Sequence, residues 1–280
     1  MSEDANEVSM PRASTRGSDK PRILVFDSGL GGLTVFREVR RARPDADYVY
    51  GADDAFFPYS DHDEGVLTKR ILEVIGGLIE AHKPDLVVIA CNTASTIVLP
   101  ALRARYSVPF VGTVPAIKPA CALSHSKLVS VLGTDATVTR EYTQGLIRDF
   151  AQDCSLTLVG SDRLASMAED YLNGEPIDEE LLAGEVAECF QEQNGNRTDV
   201  VVLACTHYPL LLDDLIRLAP WPVEWVDPAE AIARRVVDLL GPPVSTGRGA
   251  TRFLYTSGAS PSPALEKALA RFEIDTPAST

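Results

Sequence analysis

Two stretches of this chain are near copies: Leu86-Val87-Val88-Ile89-Ala90-Cys91-Asn92-Thr93 and Val200-Val201-Val202-Leu203-Ala204-Cys205-Thr206-His207. Each is an unbroken apolar run that closes on Ala-Cys and small polar residues. A short apolar run without polar alternation reads as a strand buried on both faces, and such strands belong to parallel sheets covered by helices. The chain builds one device twice. Each copy delivers a cysteine to the carboxyl end of a strand, where open α/β sheets bind their ligands. At a helix N-terminus such a thiol is expected to ionise below the free value of about 8.5. Two of them facing one cavity would place an acid and a base on opposite sides of a bound carbon.

The rest of the chain alternates strands with helices, which predicts α/β architecture: one duplicated design in two domains, each a mainly parallel sheet flanked by helices. Ile23-Leu24-Val25-Phe26 is the first strand. It is followed by the Gly-rich turn Asp27-Ser28-Gly29-Leu30-Gly31-Gly32 and an amphipathic helix to about Arg41. Such a turn suits anions, but its spacing is not that of a dinucleotide fingerprint. Leu128 to Thr137 repeats the strand-turn-helix scheme. Between them, residues 51–65 read as a long acidic and aromatic loop, and Pro100 predicts a break or kink in the helix after Asn92-Thr93. Helical patterns run over 163–173 and 179–193, ending near Asn173-Gly174 and Asn194-Gly195. The expected domains are 22–113 with 227–272, and 114–226. Residues 1–21 and 273–280 are polar tails without periodicity.

Composition narrows the function. A net charge of -14 without a Lys/Arg block argues against nucleic acid. No apolar run reaches membrane-spanning length and the N-terminus has no apolar signal stretch, so a cytoplasmic protein is expected. Five cysteines with no Cys-x-x-Cys or His/Cys ligand spacing predict reduced thiols, with neither a disulfide framework nor a metal. No cofactor is implied. Buried cysteines are ordinarily small core residues, the reading for Cys121, Cys154 and Cys189. Cys91 and Cys205 stand apart because of the duplication and their strand-end positions.

Inverting a carbon centre needs a base for the Cα proton on one face and an acid on the other. Charge on one thiol discourages ionisation of the second, so the pair would hold one proton. Asp27 could orient the Cys91 thiol. His207 could do so for Cys205, with Glu169 as an orienting carboxylate. The side chains of Ser28, Asn92, Thr93, Thr134, Thr137 and Thr206 could hold substrate carboxylates.

Several segments carry a resemblance. They are Asp27-Ser28-Gly29 with Gly31-Gly32-Leu33-Thr34-Val35, Pro58-Tyr59, Ala90-Cys91-Asn92-Thr93-Ala94-Ser95, Gly133-Thr134-Asp135-Ala136-Thr137, and Cys205-Thr206-His207-Tyr208-Pro209-Leu210. In order and spacing they resemble the motif set of bacterial glutamate racemases. The resemblance implies a cofactor-independent enzyme supplying D-glutamate for peptidoglycan, with two pseudosymmetric α/β domains, the active site in the cleft between them, Cys91 acting on the D-enantiomer and Cys205 on the L-enantiomer. It implies substrate contacts at Asp27-Ser28, Tyr59-Ser60, Asn92-Thr93 and Thr206-His207, and auxiliary acid-base groups at Asp27, Asp53, Glu169 and His207. The family usually has Gly where this chain has Ser60. Racemases or isomerases of aspartate, hydantoins or maleate use the same cysteine pair and are the alternative; His207 favours glutamate. A homodimer is a further possibility within the family.

Overall fold

The computed structural model describes residues 20–274. The chain forms β1 (Arg22–Asp27), α1 (Leu33–Ala42), β2 (Asp47–Ala52), α2 (Glu64–His82), β3 (Leu86–Ile89), α3 (Asn92–Arg105) and β4 (Phe110–Gly112). It then crosses to a second sheet through α4 (Ile117–Leu123), β5 (Leu128–Gly133), α5 (Asp135–Thr139), α6 (Glu141–Phe150) and β6 (Ser155–Gly160). There follow α7 (Leu164–Leu172), α8 (Glu179–Val186), the short β7 (Glu192–Gln193) and β8 (Asn196–Arg197), β9 (Val200–Leu203), α9 (Leu212–Leu218) and β10 (Glu224–Val226). The last elements, α10 (Ala229–Leu240), β11 (Thr251–Tyr255) and α11 (Pro263–Arg271), return to the first sheet.

Both large sheets are parallel throughout. The first has the order β11-β2-β1-β3-β4 and the second β10-β9-β5-β6. Read in the opposite direction, the second sheet is β6-β5-β9-β10, the order of β2-β1-β3-β4. The duplication extends to single hydrogen bonds. The Ala90 amide donates to Phe26 and the Ala204 amide to Leu132, at 2.8 and 2.7 Å. Likewise, Asp53 donates to Asp27 and Ser161 to Gly133, both at 2.9 Å.

Side-chain alternation puts Ile23 and Val25 of β1 under α1, α10 and α11, and Leu24 and Phe26 under α2 and α3. The second sheet is covered by α7, α8 and α9 on one face and by α4, α5 and α6 on the other. Every residue of β3 and β9 is buried, each contributing about 1.5–3 kcal/mol. Leu172 of α7 packs into the core beneath α11, joining the two halves. Among the described residues no helix is long and apolar enough to cross a membrane.

Four expectations are corrected. Residues 51–65 are not one irregular loop: Gly51 and Ala52 complete β2, and 54–56 and 59–61 are single 3-10 turns. Asp63 then caps α2 by accepting from Gly65 N at 2.8 Å. Pro100 does not break α3, which runs unbroken from Asn92 to Arg105. Pro100 lies on the solvent side, where water can satisfy the carbonyl that its missing N–H would have bonded. The helix predicted to reach residue 193 ends at Val186, and Asn194-Gly195 instead turns a hairpin. Their φ values of 52° and 81° fit the left-handed pair that tight hairpins use. Finally, Ile274, assigned to the tail, is buried in the first core, and Glu273 pairs with Arg40 and Arg248. The rest of the expected tails lies outside the described residues, apart from Lys20 and Pro21, whose carbonyl accepts from Asp47 N.

Candidate active site between the two sheets

The carboxyl ends of β1 and β3 meet those of β5 and β9 around a narrow cavity of about 20 Å³. That is room for about one water molecule. Cys91 and Cys205 both line it, with Ser28, Tyr59, Ser60, Asn92, Thr93, Thr134, Thr137, Thr206 and His207. The two halves thus bring one cysteine each to a single space.

On one side, the Cys205 sulfur lies 3.8 Å from Nδ1 of His207, whose Nε2 lies 2.8 Å from Oε1 of Glu169. The same carboxylate oxygen accepts from the Leu30 amide at 2.5 Å. The Gly-rich turn does bind an anion through its backbone, and that anion is the protein's own Glu169. Glycine is required for the approach. A Cβ on Gly29 would lie 2.2 Å from Glu169 Oε1, and one on Gly31 2.4 Å from His207 Nδ1. Burial opposes charge on His207, yet hydrogen bonds to Cys205 and Glu169 hold its pKa well above 6.5.

On the other side, Cys91 caps α3 by accepting from Ala94 N at 3.5 Å, and its thiol donates to Ser28 Oγ at 3.7 Å. The expectation of a thiol activated by the helix terminus is corrected here. Burial, reinforced by the charge of Asp27, pushes the Cys91 thiol from 9.0 up to about 12. One amide and one hydroxyl do not compensate for full desolvation.

Asp27 and Asp53 are also placed differently from expectation. Asp27 stands behind the wall, accepting from Gly29 N at 3.1 Å and from Thr206 Oγ1 at 3.2 Å. It makes no hydrogen bond to Cys91, and burial raises its pKa. Asp53 is wholly buried and outside the lining. It accepts from Tyr59 Oη at 2.8 Å, Thr256 Oγ1 at 2.6 Å and Arg70 at 2.6 to 3.2 Å. A carboxylate with every partner supplied is a tether rather than a proton carrier.

Polar side chains of the remaining lining bridge the halves. Thr93 Oγ1 of α3 lies 3.5 Å from Thr134 Oγ1 and 3.4 Å from Thr137 Oγ1, which are 2.9 Å from each other. Asn92 Oδ1 accepts from Thr113 at 3.4 Å, whereas its Nδ2 is a buried donor without a partner. Ser60 sits in a 3-10 turn without positive φ, so serine fits where the family usually has glycine. Sequence reasoning missed Phe57, Pro58 and Ala165 as lining residues. Phe57 falls in the segment read as an acidic and aromatic loop, and its ring lies 5.4 Å from that of His207. No local signal marked Ala165.

Comparison with known proteins identifies the family. Residues 33–236 match the family model described as Asp/Glu/Hydantoin racemase. The chain belongs to this family. A glutamate racemase of Brucella anthropi is 58% identical over 240 residues, 85% of this chain and 86% of that protein. Among solved structures, the Escherichia coli glutamate racemase, in complex with L-glutamate and the activator UDP-MurNAc-ala, is 37% identical with a TM-score of 0.83. The match covers 90% of this chain and 95% of that one. The glutamate racemase of Aquifex pyrophilus is 28% identical with a TM-score of 0.70, over 91% and 96%.

Proposed function

We propose that this chain is a glutamate racemase that moves the Cα proton between Cys91 and Cys205 across one cavity, without a cofactor, and that its D-glutamate feeds peptidoglycan synthesis. The observation that carries the reading is the meeting of both cysteines on one cavity, with opposed surroundings. A protonated His207, steadied by Glu169, aims a donor at the Cys205 sulfur and stabilises negative charge there, while Cys91 is held as a neutral thiol. In the direction from L- to D-glutamate, Cys91 is the member of the pair that carries the proton.

Cys205 as thiolate takes the Cα proton of L-glutamate, and the electron pair passes into the α-carboxylate. The Cys91 thiol gives its proton to the opposite face, which leaves D-glutamate, a Cys205 thiol and a Cys91 thiolate. Loss of the Cys205 proton to solvent and uptake of a solvent proton by Cys91 reset the pair. The unpartnered Asn92 Nδ2 and the hydroxyls of Ser28, Thr93, Thr134 and Thr137 are the donors for substrate carboxylates. The cavity is smaller than glutamate, so admission of substrate requires the facing loops to part.

Circular dichroism of the protein incubated separately with L- and D-glutamate tests the reading. Both signals decay to zero in the wild type and persist with Cys91→Ala or Cys205→Ala. Racemisation of aspartate but not glutamate, or normal turnover by either variant, refutes it.

A further inference from the structure

One cluster beside the cavity has no part in proton transfer. Arg70 of α2 holds Asp53 with two nitrogens, Nη2 at 2.6 Å from Oδ1 and Nε at 3.1 Å from Oδ2. Its guanidinium also lies over the Phe56 ring, 5.2 Å from the centroid. Phe56 in turn stacks on His62 at 4.3 Å, and His62 Nε2 meets the Phe56 carbonyl oxygen at 3.1 Å. The other Asp53 partners are Tyr59 Oη, from the cavity wall, and Thr256 Oγ1, from the turn after β11. Thr256 and Ser257 also bind Asp54. A single α2 side chain therefore braces both ends of the segment that carries Phe57 onto His207 and Tyr59 into the cavity.

We propose that Arg70 is a positioning residue for substrate binding: through Asp53 and Phe56 it fixes the Phe57–Ser60 wall of the cavity without touching substrate. The inference rests on the racemase reading for its kinetic readout. Its physical basis is the cost of a buried carboxylate. Burial pushes Asp53 up, and the hydrogen bonds of Arg70, Thr256 and Tyr59 hold it below the usual carboxylate range. Without the guanidinium, the charge is stranded in the wall. The other titratable groups facing this cluster are His62, stacked on Phe56, Glu73 on α2, Asp54 and Tyr59 on the segment itself, Asp27 at the end of β1 and Cys91 next to α3. His62 bonds the Phe56 carbonyl rather than Asp53, and none of the others is a cation that could replace Arg70.

The test compares wild type with Arg70→Gln, Arg70→Lys and Arg70→Gln combined with Asp53→Asn. The wall contributes uniform binding, so Arg70→Gln is expected to raise KM for L-glutamate about tenfold while kcat changes little. The increase shrinks as pH is lowered, because burial without the guanidinium favours protonated Asp53, which needs no cation. Asp53→Asn, neutral at every pH, is expected to bring KM of Arg70→Gln back to within about threefold of wild type and to abolish that pH dependence. Arg70→Lys keeps a charge and stays close to wild type. A wild-type KM in Arg70→Gln overturns the proposal, as does an increase that is independent of pH and unaltered by Asp53→Asn. Hydrogen exchange over residues 53–62 supplies a readout independent of turnover: protection falls in Arg70→Gln and is retained in Arg70→Lys. If wild type does not racemise glutamate, the functional reading fails, and equal protection in all variants then overturns the positioning claim separately.

Discussion

Gly31→Ala probes the junction of the two halves most sharply. The added Cβ would lie 2.6 Å from the backbone nitrogen of His207, whereas ordinary contact begins near 3.4 Å. His207 must therefore retreat by about 0.8 Å, the difference between those two distances, because a backbone atom cannot rotate aside. Its Nε2 to Glu169 distance of 2.8 Å then opens toward about 3.6 Å, beyond the hydrogen-bonding range of about 3.2 Å. A displacement of this size in a proton-transfer site costs about 10²-fold in rate, or about 2.7 kcal/mol of barrier. Time courses by circular dichroism from each pure enantiomer measure it. Because enantiomers have equal free energies, kcat/KM must fall by the same factor in both directions. Gly77→Ala is the control: its Cβ meets nothing within 4 Å on the exposed face of α2. It is expected to stabilise by about 0.5–1 kcal/mol with turnover unchanged. A Gly31→Ala protein that melts normally and turns over within threefold of wild type would refute the reasoning.

Three further outcomes follow from the ionisation states and the core. His207 has a raised folded pKa, so its stabilising contribution is complete below the unfolded value of about 6.5 and is lost as pH rises through the folded value. Glu169→Gln is therefore expected to lower the melting temperature most below pH 6.5 and less at alkaline pH; a constant difference would contradict the pairing. The Cys189 thiol, pushed by burial from 9.0 to about 12, stays protonated while its unfolded counterpart ionises. Stability thus falls as pH rises through that window, and Cys189→Val is expected to make the fall shallower in urea titrations. Arg43 and Asp45 form a buried pair at 2.9 Å, and Arg43 also donates to the carbonyls of Leu240 and Gly241 at the end of α10. Arg43→Met strands the carboxylate and is expected to cost about 3–5 kcal/mol by denaturant unfolding.

What the chain disclosed in advance and what it withheld divide along a physical line. The paired apolar runs were legible because burial on both faces leaves a continuous local pattern, and their ends located Cys91 and Cys205 together. Hydroxyls next to those ends were legible for the same reason. Contacts between distant segments were not. Nothing around Gly29–Gly32 shows that the anion it binds is Glu169, 139 residues from Leu30. Nothing around Asp53 shows that Arg70 and Thr256 complete its shell. The Cys91 thiol was expected to be acidic because the helix terminus is a local feature, whereas the desolvation that outweighs it comes from the whole fold. Pro100 and Asn194-Gly195 misled for a related reason: which face meets solvent, and which strand pairs with which, are settled by tertiary packing.

The central claim is that two thiols on opposite sides of one cavity exchange the Cα proton. Conversion of L-glutamate in D2O, stopped in the first few per cent of reaction and read by mass spectrometry, tests it most directly. The account expects D-glutamate carrying deuterium at Cα beside unreacted L-glutamate that keeps its original proton, because Cys91 delivers a solvent-derived proton while Cys205 removes the substrate's own. D-glutamate that retains the original Cα proton would mean that one group both removes and returns it, and would contradict the account.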